Sequence, residues 1–289
     1  MRTSVVVGVD GSASANRAAE VAGELALRRG LPLHVMHVVQ VDARTVARRL
    51  VDDAAAHVRE RFPTLEVAAE LADGNAAGAL VHASRDAEFL VVGHRGLGGF
   101  TGLLVGSVGV HTTTHAHCPV LVVRGETGEP QAPVVVGVDG SMAARAATEI
   151  AFQEARLRGS ELIVVLAWPP ARCWPEAISA AGLPPNPDEI DPVEVTLRGI
   201  RERYPDVKVR REVRHGDSPT QVIAELALWA DAGLIVVGPW RRRLPRPVDG
   251  RHLSGARGPR AMPTDGDSGR PAVDRPVMAR RAPARDLRP

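Results

Sequence analysis

The eight residues VVVGVDGS stand at 5–12 and again at 134–141, and LVVG at 90–93 is echoed by IVVG at 235–238. Self-similarity at so long a spacing describes two related domains, not a solenoid of short units. A chain of 289 residues gives each copy enough length to bury its own core. Continuous Val/Leu/Ile runs predict strands in the first copy at about 4–9, 32–39, 65–71, 89–93 and 119–124. Helices are expected between them near 14–29, 43–62, 75–86 and 107–116. Strands without polar alternation suit a parallel sheet covered on both faces. Alternating β and α units of this length imply an open, doubly wound α/β sheet. The second copy follows a linker at 126–133, with strands expected near 134–138, 161–167, 207–213 and 233–238 and helices near 142–158, 193–203 and 218–230. A segment with seven prolines, Pro169 to Pro192, interrupts it and has no assigned role.

Composition narrows the function classes. No apolar run approaches the roughly 20 residues that span a bilayer, so no membrane association is expected. The chain enters a strand almost at once, which leaves no room for a signal peptide. Two distant cysteines, Cys118 and Cys173, fit a reducing cytoplasm without a disulfide framework. Only nine aromatics occur, too few for a base-stacking surface. The net charge of +2 is misleading, because residues 239–289 hold thirteen Arg against five Asp and the rest of the chain is acidic.

The chemistry is expected where strands end, since open α/β sheets bind ligands in the crevice outside their carboxyl ends. After the fourth strand the first copy reads G-x2-G-x9-G-S, with Gly93, Gly96, Gly106 and Ser107, and then enters a helix. Such spacing lets a backbone curl around phosphates, and the unpaired N–H groups of the following helix favour an anion. Asp10 ends the first strand. It is either part of a turn with Ser12 at the next helix N-cap, or a carboxylate placed on a ribose hydroxyl or a phosphate-bound metal. Its position on a strand neighbouring the glycine loop favours the second role. Val38 is either an ordinary core valine or an edge whose N–H and C=O read an adenine. Gly98, Gly99 and Gly102 read as loop flexibility. His111 and His115 share a helix face, with His117 nearby, but have no cysteine or carboxylate partner in sequence, so solvated histidines are expected there instead of a metal site. The chain has one lysine, Lys208, and no P-loop, and neither G-x-G-x-x-G nor G-x-S-x-G occurs.

Together, V-x-V-D-G-S, the His37-Val38 strand end, G-x2-G-x9-G-S and the closing H-C-P-V-L-V-V resemble the universal stress protein family. The resemblance covers residues 1–125 and, in the second copy, 133–238. It implies two tandem five-stranded Rossmann-like sheets of the adenine-nucleotide alpha-hydrolase type, the second lacking its last strand. It further implies a cytoplasmic stress regulator that binds ATP, with or without Mg, and has little or no catalysis. By this resemblance Asp10, Val38, Gly93, Gly96, Gly106, Ser107 and Val108 contact the nucleotide. Pairing through the last strand, Val120–Val123, is implied too, either in a homodimer or between the two copies. The alternatives are a weak metal-dependent ATPase and a dimerisation scaffold without a nucleotide.

The second copy departs after Gly238 into an Arg/Pro-rich tail, 239–289, with too little apolar content to fold, so disorder is expected there. Reverse-translated and read one base later, Trp240–Arg241 gives glycine, and the next residues can spell G-x-G-G-F-x-G-L-L-M-G-A-I, the loop of the first copy. Met262–Pro263 then forces a cysteine, and Pro263–Thr264 allows the proline that follows Cys118 in copy one. The tail is therefore expected to be out-of-frame translation, and a nucleic-acid-binding role for its arginines is not expected. The coding DNA tests this: the shifted frame should stay open through the motif, and a stop codon inside it contradicts the reading.

Overall fold

A computed structural model describes residues 4–39, 44–96, 106–124, 129, 131–168, 192–216, 218–238 and 277–280. Copy one runs β1 (Ser4–Gly8), α1 (Ala13–Arg29), β2 (Leu33–Val39), α2 (Arg44–Arg61), β3 (Val67–Asp73), α3 (Ala76–Ala83), β4 (Ala87–Gly93), α4 (Ser107–His115) and β5 (Val120–Val123). Copy two runs β6 (Val134–Val138), α5 (Met142–Arg158), β7 (Leu162–Trp168), α6 (Pro192–Leu197), a 3-10 turn (Arg201–Arg203), β8 (Val209–His215), α7 (Pro219–Trp229) and β9 (Leu234–Val237), and β10 (Val277–Arg280) comes from the tail. The proline-rich segment, apart from the start of α6, lies outside the described residues, as does most of the tail.

The repeat is visible in local chemistry. Ser12 and Ser141 each accept the N–H three residues on, from Ala15 and Ala144, capping α1 and α5. Both helices stop at a glycine in the left-handed region, Gly30 and Gly159, each with φ 63°. The strands join in the order β3-β2-β1-β4-β5-β10-β9-β6-β7-β8. Within each copy the pairing is parallel, with β1 or β6 at the switch point. Both faces of the sheet are apolar because both are covered. On the α1/α5 face one cluster of buried side chains runs continuously from copy one into copy two. On the other face each copy keeps its own cluster, around Leu80 and around Leu226.

One expectation needs correction. The tail, 239–289, was expected to be disordered, whereas its Val277–Arg280 forms a strand in the slot beside β9, parallel to β5 and antiparallel to β9. The short apolar run VMA suffices, because an open sheet edge offers unpaired N–H and C=O groups to any extended segment. Pairing between copies thus occurs within the chain, with β10 as its middle strand.

A buried ion cluster crosses this seam. Arg29 Nη2, at the end of α1, donates to Glu154 Oε1 of α5 at 2.8 Å, and Nη1 donates to Glu88 Oε1 at 3.2 Å. Arg158 Nε and Nη2 donate to Glu154 Oε2 at 3.1 and 3.0 Å. The Arg29 guanidinium also lies over the Phe89 ring, 4.3 Å from its centroid. Burial opposes the Glu154 charge, but Arg158 and Arg29 overcome it and hold the carboxyl below its ordinary range. A depressed folded value stabilises the fold above the unfolded value and loses that contribution as pH falls through the folded one. The gap in urea midpoint between wild type and Glu154→Gln should therefore be constant near neutrality and shrink in acid; a gap independent of pH contradicts this.

Candidate functional site

At the C-terminal ends of the copy-one strands lies a cleft of about 400 Å³, lined by Asp10, Val38, Gly93, Gly96, Gly106, Ser107 and Val108 among others. All seven residues singled out from the sequence are brought together there. Arg95, His37 and Met36 also line it. Arg95 was not singled out, although it sits inside the G-x2-G spacing; its signal was the one basic side chain between two glycines.

Each wall has a local cause. Asp10 Oδ1 accepts the Ser12 N–H at 3.0 Å, so its carboxylate orders the turn that leads into α1. The structure thus realises the turn reading of Asp10 while still placing the residue in the cleft. The backbone approaches closely at Gly96, where a Cβ would stand 2.3 Å from Asp10 Oδ2. At Gly93 a Cβ would stand 2.6 Å from Ser14 Oγ and 2.9 Å from its carbonyl carbon. His94 pins the loop: its N–H donates to Val123 O at 2.9 Å, and its own C=O accepts the Gly106 N–H at 2.8 Å. Its ring Nδ1 lies 2.9 Å from Ser14 Oγ. Desolvation, helped by the nearby positive Arg95, Arg124 and Arg17, lowers the His94 pKa against the opposing interaction of the ring with the Val123 backbone, which favours the neutral ring. Residues 97–105, including Gly98, Gly99 and Gly102, lie outside the described residues.

The loop delivers the chain to α4. The helices α1, α3, α5 and α7 carry a side-chain cap from Ser12, Asn75, Ser141 and Ser218. By contrast, α4 starts at Gly106 with no side-chain cap, so its first-turn amides meet the cleft that Ser107, Val108 and Gly109 line. The opposite wall is β2. Val9 N–H donates to Met36 O, so in this parallel pair Met36 faces β1, and Val38, two residues on, faces the same way. The ladder would next join Val38 N–H to Val9 O, but the His37 ring Nδ1 takes that oxygen at 2.7 Å. A carbonyl only accepts, so Nδ1 carries the proton. The Val38 N–H and C=O consequently face the cleft beyond the end of β1.

Copy two has a cleft of about 300 Å³, with Asp139, Ser141 and Gly238 in its lining. Asp139 Oδ1 accepts the Ser141 N–H, as in copy one. The register Gly137↔Val165, against Gly8↔Met36, places Ala167 where copy one has Val38; Val165 and Leu166 fall two and one residues short. No helix start corresponding to α4 borders it among the described residues. On α4 itself His111 and His115 stack 4.2 Å apart, and the described residues contain no group of three or more His, Cys, Asp or Glu able to hold a metal.

The sequence pattern of the Universal stress protein family matches residues 1–124 and 132–252. The chain belongs to the universal stress protein family. It is 34% identical over 266 residues to Universal stress protein Rv2623 of Mycobacterium tuberculosis, covering 81% of this chain and 85% of that one. It is 36% identical over 261 residues to Universal stress protein Rv2005c of the same organism, covering 81% and 86%. In fold it is similar to the crystal structure of a universal stress protein from Archaeoglobus fulgidus, with a TM-score of 0.55 at 17% identity over 80% of this chain and 85% of that one.

Within this universal stress fold the three motif glycines are not equivalent. Among the described residues a Cβ on Gly106 would find nothing nearer than 3.7 Å, so their packing does not demand a glycine there. Gly93→Ala should lower stability by about 1–3 kcal/mol through overpacking against Ser14. Gly106→Ala should stay within about 1 kcal/mol of wild type in urea unfolding. Equal costs would contradict the geometry described.

Proposed function

We propose that the copy-one cleft binds an adenine nucleotide, ATP in the first instance, and that the protein is a non-catalytic, nucleotide-responsive member of its family working in the cytoplasm. The observation that carries this reading is the meeting, in one cleft, of an uncapped helix start with a strand edge whose N–H and C=O have outrun their partner. An adenine offers a complementary acceptor and donor to the Val38 pair, and phosphates suit the first-turn amides of α4. Asp10 lies between these ends, within reach of a ribose or of a Mg ion carried on the phosphates, and Arg95 adds a cation. The cleft volume falls in the range of small-ligand sites. Gly106 supports the reading as well: it lines the cleft, and no described residue would crowd a side chain there.

Efficient hydrolysis is not supported. The histidine of the cleft, His37, is tied to Val9 O at the adenine end, and Asp10 is engaged with the Ser12 N–H, so among the described residues no side-chain base is aligned on an attacking water. No helix of the described residues is long and apolar enough to cross a membrane.

Titration calorimetry of the full chain with ATP tests the reading, with phosphate release assayed in parallel. Binding should occur in copy one and vanish in Gly106→Asp. There the new carboxylate caps α4 and repels phosphate, so stability is preserved while the ligand is lost. No binding by the wild type overturns the proposal and leaves a scaffold; release of many phosphates per second makes the protein an ATPase.

A further inference from the structure

We propose that Glu154 is a one-sided address on the seam, letting copy one dock copy two while denying copy one a second copy of itself. The repeat aligns Ser12 with Ser141, and therefore Arg29 with Arg158 and Leu25 with Glu154. The two helices thus bring equivalent guanidiniums to the seam, and only α5 contributes a carboxylate between them. Glu154 serves both, with one oxygen on Arg29 and the other on Arg158. The side chains of Arg29, Glu154 and Arg158 are 9%, 1% and 3% exposed, so none of these charges is satisfied by water.

Replacing copy two by another copy one puts Leu25 where Glu154 stands and a second Arg29 where Arg158 stands. Two buried guanidiniums then meet without a buried carboxylate: what remains for each is Glu88, 39% exposed, and Glu24, which takes the place of Gln153 beside Arg29 but is 29% exposed and already paired with Arg28. Arg29 has no surplus to draw on, because its Nε already lacks a partner in the native seam. An uncompensated buried charge costs more than an intact buried pair gains, so this cluster acts through the pairing it forbids. A homotypic pairing of copy two keeps Glu154 beside its own Arg158, so the discrimination is confined to copy one. The β5–β10–β9 hydrogen bonds contribute none of it, since backbone pairing does not read side chains.

The pseudo-symmetry supplies the test, made in the full chain by amide exchange of β5 and β9 with light scattering for mass. Glu154→Leu should speed exchange at Val120–Val123 and Ile235–Val237 on the order of a hundredfold. Adding Leu25→Glu moves the carboxylate to the other helix, between the same two arginines, and should return exchange to within about tenfold of wild type. If Glu154 only braced α5 through its i,i+4 pair with Arg158, the acceleration would be confined to α5 and Leu25→Glu would not rescue it. Unchanged exchange in Glu154→Leu, or a double variant as fast as the single one, overturns the proposal. Should Glu154→Leu also accelerate Val5–Val7, signalling global unfolding, the isosteric Glu154→Gln decides: faster exchange confined to the seam strands supports the address, and wild-type rates overturn it.

Discussion

The site depends on one mismatch of strand lengths. β1 stops at Gly8 and its chain turns away at Asp10, while β2 continues to Val39 and β4 to Gly93. In a parallel sheet whose order reverses at β1, the flanking connections leave on opposite faces and a crevice opens between them. The same step exposes the Val38 backbone, aims the Gly93 loop across the gap and brings the α4 amides to its far side. His37 makes the step permanent by occupying Val9 O, the acceptor that would otherwise extend the ladder.

The two copies share this scaffold and have diverged in what they do with it. Copy two repeats the Asp139–Ser141 turn, the caps of α5 and the strand order, and it too ends in a glycine at Gly238. What it lacks among the described residues is the anion-facing helix start. In its place β10 closes the sheet by running against β9, which satisfies backbone groups without rebuilding a site. One copy thus carries a complete cleft, and the other contributes mainly the seam, where its Glu154 holds Arg29.

Much of this was legible in the residues. The Val runs fixed the central strands to within a residue or two, because a strand buried on both faces leaves no freedom for polar alternation; the half-exposed edge strands β3 and β8 begin two residues later than the residues suggested. The glycine spacing located the loop, and close packing of Gly93 against Ser14 and of Gly96 against Asp10 explains two of its three glycines. Other features had no sequence signal. Whether Val38 faces a partner or the cleft depends on a register set across two strands, and in copy two that register puts Ala167 at the equivalent place. The Arg29–Glu154 pair joins residues on α1 and α5, whereas Glu154 and Arg158 read locally as an ordinary i,i+4 pair. β10 was invisible because three apolar residues in an Arg/Pro-rich tail make a strand only when an open edge awaits them.

The central claim is that adenine and phosphates are held at opposite walls of the copy-one cleft. Backbone amide chemical shifts of the full chain, recorded with and without ATP, test it most directly. The account predicts large changes at Val38 and at Ser107, Val108 and Gly109 together, with Asp139 and Gly238 unmoved. Changes centred on Asp139, or at α4 without Val38, would contradict it.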